Sequence, residues 1–512
     1  MQQDRQLSYN TPIIIGAGQY VERLHTLSEP PFSCPMQLAA TACQAAIIDA
    51  GVTAGEIDTI AVIRLFSDTA KAWASPFGGS NNPPESVAQR IGAKPTHRIY
   101  SDTGGREPLA LMVEMFQAIA RGEKQLVLLV GAEAIASQRF ALRNGFALGW
   151  AEQFDALLDN REYRKRFAAK EEVSSGLRLP VHYYALIENS QAHRMGHDLQ
   201  QHRLHMARML APFSQVAAAN PYSQAPVAYT AQELAEPSPD NYPISLPYSK
   251  RLIAQDSVNQ SAALLLTSVG TARRLGVDPR QWLFLGGYAA GVDQYLSLRE
   301  DPGCSLAMRQ VLTAALERAE ATCTDMDFID IYSCFPCAVQ AACDVLDLPT
   351  HGSRPLTVTG GLPFFGGPGN NYSMHALAEV ATRLRGHQAS GLVTANGGML
   401  SKHAAAVLTT DPARARRIDW SRFDDPSLDC TAIPARAFCH DAHSGNILSY
   451  TVAVQRERAD LGIVLAETPA GERFLASSID PAITAAMLHS SPIGRGITVH
   501  RAAEQRVFRF QD

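Results

Sequence analysis

Residues 103–130 read TGGREPLALMVEMFQAIARGEKQLVLLV, and residues 366–397 read GGPGNNYSMHALAEVATRLRGHQASGLVTANG. In each stretch a glycine pair precedes apolar residues at helical spacing, and a run of strand-forming residues follows. The two glycine pairs are 262 residues apart, and the glycines at the ends of the two strands, Gly131 and Gly397, are 266 residues apart. A shared offset of this size predicts that the chain contains the same α/β unit twice.

A third landmark gives nearly the same offset. Asp58 and Asp327, which each precede a similar apolar strand, are 269 residues apart. Helix and strand patterns alternate through the first 410 residues or so, which is typical of a layered α/β protein. We therefore predict two homologous α/β halves, residues 1–285 and 286–415.

Two further regions interrupt or follow this pattern. Residues 140–250 carry mixed charge and a proline-rich stretch, which predicts a loop domain inserted into the first half. After the second half, short alternating runs such as residues 447–452 and 506–510 predict strands joined by polar turns. We expect the tail, residues 423–512, to form a small β-barrel.

Composition excludes several classes of function. The 512 residues carry a formal net charge of -5 without a long run of one sign, which argues against a nucleic-acid-binding surface. The first twenty residues lack the profile of a secretory signal, and no apolar run is long enough for a membrane span. Nine cysteines in so long a chain are typical of a reducing compartment. We expect a cytoplasmic protein that binds small molecules or other proteins.

Two fused α/β halves with an inserted loop domain resemble the thiolase superfamily, whose members make or break carbon–carbon bonds next to a coenzyme A thioester. The resemblance covers about residues 10–410 and is specific at the opening IIIGAG (13–18), at YSCF (332–335), at GGP (366–368) and at NGG (396–398). The tail resembles the OB-like domain that some thiolase-like proteins carry at the C-terminus. That branch of the superfamily is commonly labelled acetyl-CoA acetyltransferase.

The resemblance implies a pseudo-two-fold axis that places the two glycine-led helix starts around one cavity. Backbone N–H groups at Gly105, Gly367 and Gly397 would then face the substrate. Such donors stabilise a tetrahedral oxyanion or an enolate, and the removal of one donor of this kind costs about 3 kcal/mol in known enzymes.

The side chains that catalyse thiolase chemistry are nevertheless replaced. The family's nucleophilic cysteine falls on Gly105, and the histidine of its Gly-His-Pro motif falls on Gly367. The cysteine of its Cys-x-Gly loop falls on Ala395, and the asparagine of its Asn-Glu-Ala-Phe motif falls on Tyr332. An acyl-cysteine cycle at the usual position is therefore not expected.

Five side chains on or near these loops remain as candidate catalytic residues. Tyr332 is a candidate acid or base for a β-hydroxyl, or alternatively a core residue. Asn396 is a candidate donor to a carbonyl oxygen, or a turn residue before two glycines. His403 is a candidate base, His375 is by default a structural histidine, and Cys334 is an alternative nucleophile or a packing residue.

Coenzyme A would be bound through the loop domain, as the resemblance implies. His193, Lys250 and Arg251 are the candidate contacts, although a solvated helix face explains such residues equally well. Cys430 and Cys439 do not form zinc-ribbon pairs, so we expect no metal.

Three hypotheses for the function follow. The first is an acyltransferase that acts on acyl-CoA thioesters, such as an acetyl-CoA acetyltransferase, without the usual cysteine. The second is an aldolase-type lyase on β-hydroxyacyl-CoA, in which Tyr332 or His403 deprotonates the hydroxyl and Asn396 holds the enolate. The third is a non-catalytic module that binds an acyl-CoA or a partner. The chain would be a monomer or a homodimer, because an extra domain could cover the surface through which ordinary thiolases pair.

Overall fold

The computed structural model describes residues 7–24, 32–161, 168–420, 428, 433–455, 458–502 and 505–511. Phe423, where the tail was predicted to begin, and Cys430 lie outside the described residues.

The strands and helices alternate along most of the chain. The strands are β1 (Pro12–Val21), β2 (Thr59–Val62), β3 (His97–Tyr100), β4 (Leu126–Ala134), β5 (Asp159–Asn160), β6 (Pro243–Ser245), β7 (Tyr248–Ser249), β8 (Asn259–Ser268), β9 (Phe284–Val292), β10 (Phe328–Asp330), β11 (Ser390–Gly397), β12 (Lys402–Thr409), β13 (Ser444–Gln455), β14 (Arg458–Glu467), β15 (Arg473–Ser478), β16 (Gly496–Ala502) and β17 (Gln505–Phe510). The helices are α1 (Pro35–Ala50), α2 (Pro83–Ile91), α3 (Glu107–Ala120), α4 (Ile135–Asn144), α5 (Lys170–Ser174), α6 (Pro180–Arg194), α7 (Leu199–Ala219), α8 (Ala231–Ala235), α9 (Val269–Arg274), α10 (Leu306–Arg318), α11 (Pro336–Leu346), α12 (Tyr372–Leu384), α13 (Pro412–Ala415) and α14 (Pro481–His489).

Two sheets confirm the predicted duplication. The first has the strand order β1-β8-β4-β2-β3-β5, and the second has the order β10-β11-β12-β9. In the first sheet β2 is parallel to β4, β4 is antiparallel to β8, and β8 is antiparallel to β1. The same three relations hold in the second sheet for β10, β11, β12 and β9. The second sheet therefore repeats the arrangement of four strands of the first.

The helices α3 and α12 lie between the two halves. Each contacts the other, and each also contacts strands of both sheets. Most of their side chains are buried, among them Leu109, Phe116, Met374 and Leu377. A helix that is apolar on most sides is stable only when it is covered on most sides, which explains its position at the centre.

The glycine pairs relate differently to these two helices. Gly105 lies two residues before α3, whereas Gly367 lies five residues before α12, so the second pair is in a loop and does not open the helix as expected. Gly104 and Gly366, the first glycine of each pair, have φ angles of 138° and 124°, which favour glycine. Gly369 has a φ of 53°, and this left-handed residue keeps the loop from continuing into the helix.

The C-terminal strands confirm the predicted small β-barrel. The strands β13, β14, β15, β17 and β16 pair in that order, and β16 pairs back with β13, which closes the barrel. Its core contains Ile447, Val452, Phe474 and Phe508. The short strand β6 of the inserted region pairs with β13, so this region and the barrel share one sheet. Among the described helices, none combines the length and apolar character that a membrane crossing requires.

Candidate functional site

The glycine loops of the two halves are in direct contact. A Cβ atom placed on Gly105 would lie 2.3 Å from the backbone oxygen of Asn396 and 2.4 Å from the hydroxyl oxygen of Tyr332. A Cβ atom on Gly397 would lie 3.1 Å from the backbone nitrogen of Gly105. The loops after β10 and β11 therefore close onto the start of α3 without an intervening gap at Gly105.

The space beside these loops is small where the resemblance implied an open cavity. The cavity next to Tyr332, Asn396 and His403 has a volume of about 10 Å³, which leaves room for one water molecule at most. The Tyr332 ring, which is 7% exposed, occupies the space in front of Gly105. The phenol ring of Tyr332 reaches the space in front of Gly105, the position that the resemblance assigns to the family's cysteine.

Two of the backbone donors in these loops already bind protein acceptors. The N–H of Gly367 donates to the backbone oxygen of Gln255 at 2.7 Å. The N–H of Gly104 donates to Oδ1 of Asn370 at 3.2 Å. Gly367 could act as the expected donor to an oxyanion only if its N–H left Gln255. Gly397 lies at the end of β11, in register with Lys402 of β12.

A buried carboxylate organises the turn that carries Tyr332. Asp330 is fully buried and accepts hydrogen bonds from the backbone and the side chains of the segment 357–359. The hydroxyl of Tyr372 also donates to Asp330, at 3.1 Å. The ring of Tyr372 packs edge-on against Tyr332, with ring centres 5.3 Å apart. Burial raises the pKa of Tyr332, so this hydroxyl keeps its proton and is a poor base.

Asn396 is held by two neighbours. Its Nδ2 donates to the hydroxyl oxygen of Tyr184 at 3.0 Å and approaches Sγ of Cys334 at 3.5 Å. Burial raises the pKa of Cys334 to about 11, so the sulfur is a protonated thiol at neutral pH and a weak nucleophile. Oδ1 of Asn396 is buried without a hydrogen-bond partner in the described part of the chain. The amide therefore positions the loop, and its N–H group is not free for a substrate oxygen.

Sequence reasoning did not identify Tyr184. This residue lies on α6, its ring stacks on Phe335 with centres 4.1 Å apart, and its hydroxyl also accepts from the N–H of Leu400 at 3.1 Å. No motif surrounds it, so only the long-range contact between α6 and the loop after β11 reveals its role.

The imidazole of His403 is uncharged and is held in place by two hydrogen-bond partners. Its Nε2 lies 3.2 Å from the backbone oxygen of Leu400 and 2.9 Å from Oγ of Ser305. A carbonyl oxygen only accepts, so Nε2 carries the proton and cannot take one from Ser305. Ser305 donates its own proton to Asp293. Burial lowers the pKa of His403 to about 4, and the group is therefore not arranged as a base.

His375 belongs to a different network. Its Nδ1 donates to Oε1 of Gln19 at 2.8 Å, because Nε2 of Gln19 donates to Glu379 at 2.9 Å. Burial lowers the pKa of His375 to about 3. The network ties α12 to β1, which indicates a structural role for this histidine.

Known proteins have the same architecture as this chain. The family model described as "Thiolase-like protein type 1 additional C-terminal domain" matches residues 429–504. A solved structure of a monomeric SCP2-thiolase-like protein type 1 from Mycobacterium smegmatis is 33% identical, with a TM-score of 0.83, and the match covers 99% of this chain and 100% of that chain. This chain belongs to the SCP2-thiolase-like protein type 1 family.

More distant structures share the fold of this thiolase-like protein. An Ltp2–ChsH2(DUF35) aldolase is 17% identical with a TM-score of 0.56, over 79% of this chain and 98% of that chain. An acetyl-CoA acetyltransferase from Syntrophomonas wolfei is 16% identical with a TM-score of 0.56, over 79% of this chain and 100% of that chain. At such identities the likeness establishes the fold alone. A search of curated proteins found no match.

The candidate coenzyme A contacts of this thiolase-like protein lie on the inserted region. Nζ of Lys250 lies 5.6 Å from the ring centre of Tyr242, and the guanidinium carbon of Arg251 lies 4.6 Å from that of Tyr229. His193 lines a cleft of about 430 Å³ between α6, α7 and the barrel, and Lys250 and Arg251 are not part of its lining. Within the described ranges, no group of three or more His, Cys, Asp or Glu side chains is arranged to hold a metal ion as it stands.

Proposed function

We propose that this thiolase-like protein binds an acyl-CoA thioester, and that it does not transfer or cleave the acyl chain at its glycine loops. The observation that carries this proposal is the contact between Gly105 and Tyr332. The 2.4 Å separation between the Tyr332 hydroxyl and a Cβ at position 105 leaves no room for a nucleophile and a substrate carbonyl. The third of the sequence hypotheses is therefore the one that the geometry favours.

The acyltransferase hypothesis requires a nucleophile close to a carbonyl carbon, with donors 2.7–3.1 Å from the developing oxyanion. The candidate sulfur, Cys334, is a thiol with its pKa raised to about 11. Gly367, one of the implied donors, already donates to Gln255. Acyl transfer at this site would need both loops to move apart.

The lyase hypothesis requires a base that removes a proton from a β-hydroxyl. Burial raises the pKa of Tyr332, and Nε2 of His403 carries its proton towards Leu400. Asn396, the proposed enolate donor, uses its N–H group on Tyr184. None of the three is poised for its proposed step, so we do not favour a lyase.

The proposal that an acyl-CoA binds rests on a shared fold and on the size of one cleft. A related fold is that of an acetyl-CoA acetyltransferase, and the cleft beside His193 has the volume of a typical small-molecule site. This cleft lies between the inserted region and the barrel, where His489 and Ser490 face His193. The basic pair Lys250 and Arg251 would contact phosphate groups on the surface of the same region.

The test separates binding from turnover. The purified full-length chain is titrated with coenzyme A, acetyl-CoA and a long-chain acyl-CoA in a calorimeter, and the mixtures are then analysed for products and for the intact protein mass. We expect saturable binding, unchanged acyl-CoA and an unchanged protein mass. A mass increase equal to the acyl group would establish an acyl-enzyme and overturn the non-catalytic part, and shortened acyl-CoA products without a mass change would support a lyase.

Substitutions at three places test the binding surface and the glycine loops. Replacement of Lys250 and Arg251 by Gln should weaken acyl-CoA binding at least threefold, whereas Arg280→Gln, at a position 85% exposed on another surface, should not. Tyr332→Phe should leave binding and every flux unchanged. If neither coenzyme A nor any acyl-CoA binds at millimolar concentration, the proposal is wrong. We also propose that the chain is a monomer, as its 33% identical relative is described, and light scattering tests this.

A further inference from the structure

A cleft at the starts of α1 and α4 has carboxyl groups but no basic side chain on its wall. It has a volume of about 240 Å³, and residues of the segment 65–80 form its other side. The carboxyl groups are those of Asp68, Glu133 and Glu152, and none of the described residues that line the cleft is Lys, Arg or His. We call this space the acidic cleft. It shares no lining residue with the cleft beside His193, so it needs its own explanation.

Glu133 supplies a buried carboxyl group with one free oxygen. It is the next-to-last residue of β4 and is 3% exposed. Its Oε1 accepts from the backbone N–H of Phe66 at 2.7 Å. In the described part of the chain its Oε2 has no hydrogen-bond partner and is not sealed off by protein atoms, so it is accessible from the cleft that Glu133 lines. A buried carboxyl group is costly to ionise unless a cation accompanies it.

Asp68 supplies a second carboxyl group without a paired cation. It lies two residues after Phe66, whose N–H binds Glu133, so one turn brings both carboxyl groups to the same cleft. Oδ2 of Asp68 accepts from the hydroxyl of Tyr100 at 2.5 Å. Within the described ranges, neither Asp68 nor Glu133 forms an ion pair with a Lys or Arg side chain. Two carboxyl groups of this kind on one wall favour a positively charged ligand.

The positive groups next to the acidic cleft have other partners. Arg90 is ion-paired with Glu152, the third carboxylate of the wall, at 2.5 Å. Arg139 of α4 binds Asp256 through two hydrogen bonds of 2.6 and 2.7 Å. Both guanidinium groups are therefore already compensated, and the carboxyl groups of Asp68 and Glu133 are not.

The helix starts at the cleft do not provide a site for an anion. The helix α1 begins with Pro35, which has no N–H group. In α4 the N–H of Ala136 donates to the backbone oxygen of Val258 at 3.0 Å, and the N–H of Ser137 donates to Oδ1 of Asn259 at 3.0 Å. These donors are therefore not available to a ligand.

The remaining wall of the acidic cleft is largely apolar. Met36, Leu65, Ile135 and Trp150 line it, and an indole ring attracts cations more strongly than other aromatic rings do. By volume the cleft holds about eight water molecules, at about 30 Å³ each. A ligand that fills it therefore has about eight non-hydrogen atoms, most of them carbon.

We propose that the acidic cleft binds a small organic cation, namely a primary ammonium group attached to one ring or to a short alkyl chain. An ammonium group has three N–H donors, and the free Oε2 of Glu133 and the carboxylate of Asp68 are its acceptors. The carbon atoms of the ligand then pack against Trp150 and Met36. The bound cation compensates the buried carboxylate, which has no cation of its own.

Binding of an ammonium group should displace a proton. Burial, together with the nearby charges of Asp68 and Asp256, raises the pKa of Glu133 to about 8, so the empty cleft holds a neutral carboxylic acid at pH 7. A cation stabilises the ionised form, and the proton of Glu133 leaves when the ligand enters. Affinity should therefore increase as the pH rises from 6 to 8, by at most about tenfold per pH unit.

The experiment titrates the full-length chain with benzylammonium in a calorimeter, in the absence of coenzyme A, so its outcome is independent of the proposed function. Titrations at pH 7 in two buffers with different ionisation enthalpies give the number of protons released. We expect one ligand per chain, a dissociation constant of about 1 mM or tighter, and the release of close to one proton. Benzyl alcohol and benzoate, the uncharged and anionic analogues, should bind at least about tenfold more weakly.

Variants assign the binding to the two carboxyl groups. Glu133→Gln keeps the size of the side chain but cannot ionise, so it should weaken benzylammonium binding at least about tenfold and abolish proton release. Asp68→Asn, at an exposed position, should weaken binding about threefold. The matched control is Glu123→Gln, which removes a carboxylate that is 54% exposed at the opposite end of β4 and should change nothing.

Circular dichroism of each variant checks the fold, and Asp68→Asn remains informative if Glu133→Gln does not fold. Three results would each overturn the proposal: no saturable binding of benzylammonium at millimolar concentration, equal binding of benzyl alcohol, or binding that the folded Glu133→Gln and Asp68→Asn variants leave unchanged.

Discussion

Substitution of Gly105 by Ala tests the central structural observation, which is that the glycine loops are packed against each other. A methyl group at this position meets the backbone oxygen of Asn396 at 2.3 Å and the Tyr332 hydroxyl at 2.4 Å. Both distances are about 1 Å shorter than an ordinary carbon–oxygen contact. The backbone oxygen cannot rotate away, so the loop after β11 or the start of α3 has to shift.

The expected cost follows from this overlap. Overpacking of a closed core costs about 1–3 kcal/mol and occasionally more, and here a backbone atom has to move. Gly105 does not have a positive φ, so Ala also restricts the unfolded chain and returns about 0.4–1 kcal/mol. With the upper end of the overpacking cost, about 3 kcal/mol, we expect a net loss of about 2–2.6 kcal/mol in the free energy of unfolding. Denaturant titration followed by circular dichroism measures this loss.

Gly286→Ala is the matched control. Gly286 is buried in β9, and a Cβ there would meet its nearest neighbour at 3.4 Å, an ordinary van der Waals contact. This variant should be as stable as the parent or slightly more stable. The double variant Gly105→Ala/Tyr332→Phe removes the hydroxyl contact but keeps the one with Asn396, so most of the loss should persist. If Gly105→Ala unfolds at the same denaturant concentration as Gly286→Ala, the loops are not in contact and the space in front of Gly105 is open.

Three further predictions use the same unfolding assay. Tyr332→Phe should change the free energy of unfolding by less than about 0.5 kcal/mol, whereas Tyr332→Ala should cost about 3–5 kcal/mol because it leaves a cavity. Equal effects of the two substitutions would refute the packing role of the ring. Asn189→Ala should lower the free energy of unfolding by about 1–3 kcal/mol. The Nδ2 group of Asn189 donates to the backbone oxygens of Leu246 and Tyr450 and so joins the inserted region to the barrel. An unchanged free energy would show that this junction is not stabilising. Burial raises the pKa of Glu133 to about 8, so the folded state holds a proton that the unfolded state releases above about pH 4.3. The parent should therefore lose stability relative to Glu133→Gln as the pH rises from 5 to 8, by at most about 1.4 kcal/mol per pH unit, and parallel pH profiles would contradict the shift.

The repeated landmarks explain why the overall fold could be predicted. Equivalent glycines and equivalent aspartates of the two halves are 262 to 269 residues apart. This is expected if two copies of one unit kept their internal spacing. The barrel was predictable for a similar reason, since alternation within β13 and β17 is local in sequence. The pairing of β6 with β13 was not predictable, because Ser245 and Ala453 are brought together only by the folded chain.

The sequence pointed to the loops of the candidate site, but their packing could not be predicted from it. The resemblance to thiolases implies, from the sequence alone, that Gly105 stands in place of the family's cysteine and Tyr332 in place of its asparagine. The Tyr332 side chain fills the space in front of Gly105 because of the direction in which it points. Residue spacing in the sequence does not reveal that direction. The contacts of Tyr184 with Asn396 and Leu400 were missed for the same reason.

The close packing of Gly105 and Tyr332 limits which side chains position 105 can carry. A cysteine at position 105 would collide with the tyrosine, and a smaller residue at position 332 alone would leave an empty space that destabilises the core. Even the two changes together leave the Asn396 carbonyl 2.3 Å from the new Cβ, and Gly367 still donates to Gln255. A cysteine at position 105 therefore requires a shift of the backbone as well as a smaller residue at position 332. The loops are held in their closed arrangement by the hydrogen bonds of Asp330, Asn370 and Asn396, and these would have to be broken first.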